Sequence, residues 1–189
     1  MIKINHIDQK FTKTFLVALL LFLAFAVRLW KIEYIPNATD GDEMAYIFAG
    51  QSLLEFGIPI SWSSFEQIDR NWTTYPMDSR VVNEDMSFPM IKPWLDHTFF
   101  LPLIAGGWSE LGGYSFGTIP PALWYRLPML AIAMVTLVLA FFLAKDTFGY
   151  WPAVLSLLLL SFSPAIIIIQ RMVVTENLII PFLLAALLL

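Results

Sequence analysis

Residues 11–30 read FTKTFLVALLLFLAFAVRLW, and this run decides the class of fold. It supplies about the ~20 mostly apolar residues that a helix needs to cross the hydrocarbon core of a bilayer. Ahead of it lies a polar tail, 1–10, and the tail and first turn carry Lys3, Lys10 and Lys13 against Asp8. Lysines on that side of a span place the N-terminus in the cytoplasm. Ala24-Phe25-Ala26 has the spelling of a signal-peptide cleavage site. The apolar run continues past it through Val27, Leu29 and Trp30, which suits an uncleaved helix ending in an interfacial Trp.

The composition of the whole chain agrees with this reading. With 58% hydrophobic residues, 14% charged and a mean hydropathy of +0.71, the 189 residues suit an integral, multi-pass membrane protein rather than a water-soluble domain. A bacterial or archaeal plasma membrane is the expected location in preference to the endoplasmic reticulum. The absence of cysteine excludes disulfides and thiolate metal sites, and two histidines leave little for a histidine-rich one.

Downstream, the apolar runs return at 121–144, 151–169 and 178–189. The first opens with Trp124, Tyr125 and Arg126, where an interfacial belt belongs. Lys145 to Tyr150 forms a short cytoplasmic turn. Pro164 interrupts the next run and predicts a kink or break there. Residues 170–177 are a short outer crossing. The last run is too short to span, so the chain is expected to be the N-terminal part of a longer protein. The fold class expected is an all-α membrane protein, a multi-spanning helical bundle.

Between the first and second spans lies an extracytoplasmic loop, 31–120, with twelve of the fifteen acids and four of the eleven bases. Such a surface excludes nucleic acid as a partner, which needs clustered cations. Two amphipathic interfacial helices are predicted in it. One covers 42–56, with Met44, Ile47, Phe48 and Leu54 apolar and Gly57 and Pro59 as stops; the other covers 93–111, made irregular by Pro102 and Gly106-Gly107. A short strand is expected around Arg80 to Val82. Asn37-Ala38-Thr39 and Asn71-Trp72-Thr73 have the spelling of glycosylation acceptors.

The chemistry-bearing stretch is Asp40-Gly41-Asp42-Glu43. Asp40 as N-cap with Glu43 three residues on is an acidic form of the capping box. That arrangement leaves Asp42 available as a general base. Asp40, Asp42 and Glu43 are also hard oxygen ligands of the kind Mg²⁺ or Mn²⁺ accepts, although the expected reaction requires no cofactor. The outer-side cations are Lys92, Arg126 and Arg171; the two arginines equally suit interface anchors. His97 and Asp96 follow Lys92, and Glu176 follows Arg171 at a spacing that allows pairing.

A first span, then Asp42-Glu43, then a helix ending in Leu54-Glu55-Phe56-Gly57 resembles the GT-C superfamily of integral-membrane glycosyltransferases, in particular its protein O-mannosyltransferase and aminoarabinose-transferase branch. The likeness continues in order. Lys92-Pro93-Trp94-Leu95-Asp96-His97 resembles that branch's second loop motif, and Tyr125-Arg126-Leu127-Pro128 its Arg-x-Pro entry to the next span. Lys145 to Tyr150 resembles its cytoplasmic turn, and Gln170-Arg171 followed by Glu176 and Leu178 resembles its Arg-x(4)-Asp/Glu-x-x-Leu element. Thr98-Phe99 departs from the pattern, where the family often has prolines. The resemblance implies inverting transfer of a sugar from a polyprenyl-phosphate or polyprenyl-diphosphate donor to an acceptor hydroxyl or amine on a glycan, lipid or protein. Asp42 would be the base and Glu43 a residue that orients the site. Lys92, Asp96, His97, Arg126, Arg171 and Glu176 would bind the substrate or its lipid phosphate. The rival readings are a multi-spanning transporter, against which the apolar interiors at 137–144 and 154–160 argue, and a non-catalytic membrane subunit that binds a partner through its aromatic loop. Membrane lipids are partners under every reading.

Overall fold

The computed structural model describes residues 2–37, 41–62, 73–74 and 90–189. The chain is mostly helical, in the order α1 (Ile2–Leu29), α2 (Gly41–Phe56), β1 (Ser61–Trp62), β2 (Thr73–Thr74), β3 (Met90–Lys92), α3 (Phe100–Leu111), α4 (Ala122–Phe148), α5 (Tyr150–Phe162), α6 (Pro164–Arg171) and α7 (Thr175–Leu188). The helical architecture expected is observed, with the addition of a small antiparallel sheet in the order β1-β3-β2. Its register pairs Trp62 with Met90 and Thr74 with Ile91. These pairings join segments about thirty and twenty residues apart, so no local alternation announces them. The expected strand around Arg80 to Val82 and both acceptor sequons extend outside the described residues.

Two helices are long and apolar enough to cross a membrane, Lys10–Leu29 and Ala122–Phe148; α5 and α6 count as a third if the bent pair is one span. The chain divides into two compact units: residues 1–32, 129–171 and 176–189, and residues 33–128 with 172–175.

In the first unit, Leu20 and Ala24 of α1 pack with Leu137 and Phe141 of α4 and with Ala153 and Leu157 of α5. The two alanines are fully buried, and small side chains at such crossings let helix backbones approach. Phe22, Leu159 and Phe182 are each more than 60% exposed, an outward apolar surface that fits lipid rather than water. Helix α4 runs on through Lys145 to Phe148, so only Gly149, at φ 89°, separates it from α5. A positive φ of this size suits glycine.

The break between α5 and α6 is 65°, and its cause is Pro164. Proline has no N–H, so the carbonyl of Leu160 loses its helical partner, and Ser161 lies among the last carbonyls of α5, which have none. Arg28 of α1 fills both: Nη2 donates to the Leu160 carbonyl and Nη1 to the Ser161 carbonyl, each at 3.1 Å. Its Nε donates to Gln170 Oε1 at 2.8 Å, and the side chain is fully buried. Two further caps close this unit. Arg171 donates through Nη2 to the carbonyls of Val27 and Trp30 at the end of α1, where the helix dipole favours a cation. Asn177 Nδ2 donates to the Ile169 carbonyl near the end of α6 at 2.6 Å.

In the second unit, α2 is buried along every residue from Glu43 to Ser52. The expectation of an amphipathic helix lying on a surface is therefore corrected for this stretch: α2 is a central element. Helix α3 packs on it where Gly50 meets Gly106. A Cβ on Gly50 would overlap the Pro102 carbonyl, and one on Gly106 would overlap the backbone of Gly50. On other sides Phe48 meets Trp62 edge-on at 5.6 Å and Ser61 Oγ donates to the Ala45 carbonyl at 2.9 Å. Gln51 Nε2 donates to the carbonyls of Tyr114 and Thr118.

Helix α3 begins at Phe100, not at residue 93, because Trp94 is tied back: its N–H donates to the Pro59 carbonyl and its Nε1 to the Trp62 carbonyl, both at 2.8 Å. Pro102 falls in the first turn of α3, where a missing N–H costs nothing. Pro128 within α4 orphans the Trp124 carbonyl, and Trp108 Nε1 supplies the donor at 3.0 Å. Trp124 Nε1 donates in return to the Trp108 carbonyl at 3.1 Å, with the rings stacked 5.2 Å apart.

Candidate functional site

The first turn of α2 carries Asp42 and Glu43, where unpaired backbone N–H groups and the helix dipole favour acids. The proposed cap Asp40 lies outside the described residues. The two adjacent acids have opposite environments. Asp42 is exposed, whereas Glu43 is fully buried. Successive helical residues point about 100° apart, so one can face the interior while its neighbour faces out.

Glu43 meets Arg126, which is also fully buried. Arg126 Nε donates to Oε1 at 3.0 Å and Nη2 to Oε2, a two-pronged pairing. The remaining guanidinium donors reach the carbonyls of Pro36 at 3.0 Å and Asn37 at 3.2 Å. Glu43 Oε1 also accepts the backbone N–H of Val173 at 2.9 Å. One ion pair thus joins α2, the start of α4, the chain ahead of α2 and the 172–175 segment. A buried pair is tolerated when its other hydrogen-bonding positions are filled in this way.

One turn after Asp42, on the same face of α2, stands Tyr46. Its hydroxyl lies 3.1 Å from Thr175 Oγ1. Its ring meets Trp94 edge-on at 5.8 Å and His97 at 5.3 Å. Trp94 and Tyr46 are buried, His97 is exposed, and Trp94 and His97 themselves are 5.8 Å apart. The Tyr46 ring thus meets His97, and Asp42 stands one helical turn before Tyr46 on α2. Lys92 ends β3 and is half-buried, as is Asp96.

The predicted site residues accordingly fall into separate places. His97 meets Tyr46, one turn along α2 from Asp42, and Lys92 and Asp96 lie on the same short β3–α3 stretch as His97. Glu43 and Arg126 form the interior lock. Arg171 belongs to the first unit, where it caps α1, and Glu176 is exposed in the first turn of α7. Among the described residues no three or more His, Asp and Glu side chains gather as a metal site would require. Arg28 and Gln170, which carry the polar interior of the first unit, were passed over in the sequence reading. The available signal was a charged residue inside an apolar run, which in a membrane helix marks a buried partner.

Comparison with models of protein families, with curated proteins and with solved structures finds no match for this chain.

Proposed function

We propose that this chain carries the acceptor-activating part of a multi-pass membrane glycosyltransferase that takes its sugar from a polyprenyl-phosphate or polyprenyl-diphosphate donor. The observation that carries the reading is the division of labour between adjacent acids: Glu43 is committed to Arg126 in the interior, while Asp42 stands exposed one turn from the Tyr46–Trp94–His97 cluster. The order of loop and span motifs set out above supports the reaction class.

In this reaction the Asp42 carboxylate takes the proton of the acceptor hydroxyl or amine as that atom attacks the anomeric carbon. The bond from that carbon to the donor phosphate oxygen breaks with inversion, and the lipid phosphate leaves as an anion. Lys92 and His97 are the cationic or protonable groups of the β3–α3 stretch that suit the departing charge. Glu43 and Arg126 act as positioning residues that hold the first turn of α2.

The test is consumption of a polyprenyl-phosphate-linked sugar by the full-length protein. Asp42→Asn should lower turnover by about 10²-fold or more, the scale of a lost general base, while the loss of its charge at the helix N-terminus should cost no more than about 1 kcal/mol of stability. Glu43→Gln should lower turnover and stability together. Full turnover in Asp42→Asn would remove Asp42 as the base, and failure of the wild-type protein to consume any such donor would remove the reaction class.

A further inference from the structure

At the end of the first unit where α4 gives way to α5, a groove of about 600 Å³ opens between the first turns of α1's apolar run and the last turns of α4. Its rim is cationic: Lys10 and Lys13 come from α1 and Lys145 from α4. Among the described residues no acid lines it. Its walls are apolar, formed by Val17, Ala18, Leu21 and Phe141.

The rim is held in shape by the groups behind it. Tyr150 donates its hydroxyl to the Lys13 carbonyl at 2.8 Å. The Lys13 ammonium sits 5.1 Å from the centre of the Tyr150 ring, and that of Lys145 sits 5.6 Å from the Phe142 ring, within the range of cation–π attraction. Both ammonium groups are thereby kept beside the groove.

We propose that this groove binds an anionic phospholipid. The headgroup phosphate lies among Lys10, Lys13 and Lys145, and the start of one acyl chain lies along Val17, Ala18 and Leu21. Charge complementarity selects the anion, because the three ammonium groups of Lys10, Lys13 and Lys145 favour phosphate over a zwitterionic headgroup. The apolar walls select a lipid over free phosphate, since a small hydrated ion gains nothing from them. The lysine-bearing end of α1 is also the end expected on the cytoplasmic side, where anionic lipids concentrate. Such a site is independent of the glycosyl-transfer reading, whose residues lie in the other unit.

Binding is measured on the purified full chain in mild detergent by native mass spectrometry, with phosphatidylglycerol, phosphatidylcholine and glycerol 3-phosphate as probes. Each lysine is expected to contribute about five-fold in affinity, so that phosphatidylglycerol should bind ~100-fold more tightly than phosphatidylcholine. Single Lys→Gln changes at 10, 13 and 145 should each lower that preference, and the triple change should remove it. The triple Lys→Arg variant should retain it, which separates lost charge from lost folding. Lys31→Gln, on the loop after the other end of α1, should leave it intact. Equal binding of the two lipids, or an undiminished preference in the triple Gln variant, would overturn the proposal. So would a loss of preference in Lys31→Gln as large as in the groove variants, or displacement of phosphatidylglycerol by equimolar glycerol 3-phosphate.

Discussion

Arg28→Met is the most direct test of how the first unit is held together. The substitution keeps an unbranched apolar stem and removes the donors to Gln170 Oε1 and to the carbonyls of Leu160 and Ser161. The Ala24 carbonyl, also within reach of Nη1, keeps its helical partner. Three acceptors are left, two in buried and one in a part-buried hydrogen bond, each costing about 1 kcal/mol, so a loss of ~3 kcal/mol is expected. Relief from burying a guanidinium without a carboxylate moderates that figure. The cause assigned to the bend makes a sharper prediction. Pro164→Ala restores an N–H to the position that normally serves the Leu160 carbonyl. In that background one of the three acceptors has a new donor, and Arg28→Met should cost ~1 kcal/mol less than it does alone. The assay is a double-mutant cycle by equilibrium unfolding in mixed micelles. Additivity of the two changes, or a loss well under 1 kcal/mol for Arg28→Met, would refute the account of Arg28 as the cap of a proline-broken helix.

Removing either partner of the Glu43–Arg126 pair should cost about 3–5 kcal/mol, while replacing both with methionine should cost less than the two single changes added together; thermal or chemical unfolding of the four proteins checks this. Gly106→Ala forces α2 and α3 apart at their tightest point, with an expected loss of about 1–3 kcal/mol or more, measured by the same unfolding assay. Burial, and next the neighbouring Glu55 carboxylate, hold the Glu110 carboxyl above its usual range. A carboxyl raised in the folded state contributes stability at low pH that is lost as pH rises through its folded value. Glu110→Gln should therefore raise the unfolding midpoint at pH 7 and change it little at pH 4, and a midpoint unchanged at pH 7 would argue against the shift.

The parts of this protein that follow from short-range pattern were legible in its sequence. The apolar run 11–30 coincides with the span Lys10–Leu29, residues 121–144 with most of α4, and 42–56 with α2 at Gly41–Phe56. The break expected at Pro164 is where α5 ends and α6 begins. Each is set by hydropathy over one segment or by the missing N–H of one residue, properties that neighbouring residues encode. The acids at 42 and 43 were likewise legible as a pair, but their division of labour was not. Spacing gives adjacent residues no different partners, whereas the fold brings Arg126 to one of them from 83 positions away.

The sequence by itself determined that long apolar helices form and where proline interrupts them. Only the tertiary structure decided what fills the vacancies so created. Arg28 reaches the Ser161 carbonyl across 133 positions and Gln170 across 142, and Trp108 answers Pro128 from another helix. A proline announces an orphaned carbonyl locally, but the donor that satisfies it is chosen by packing, because any arginine or tryptophan that the fold carries within 3 Å serves the same chemistry.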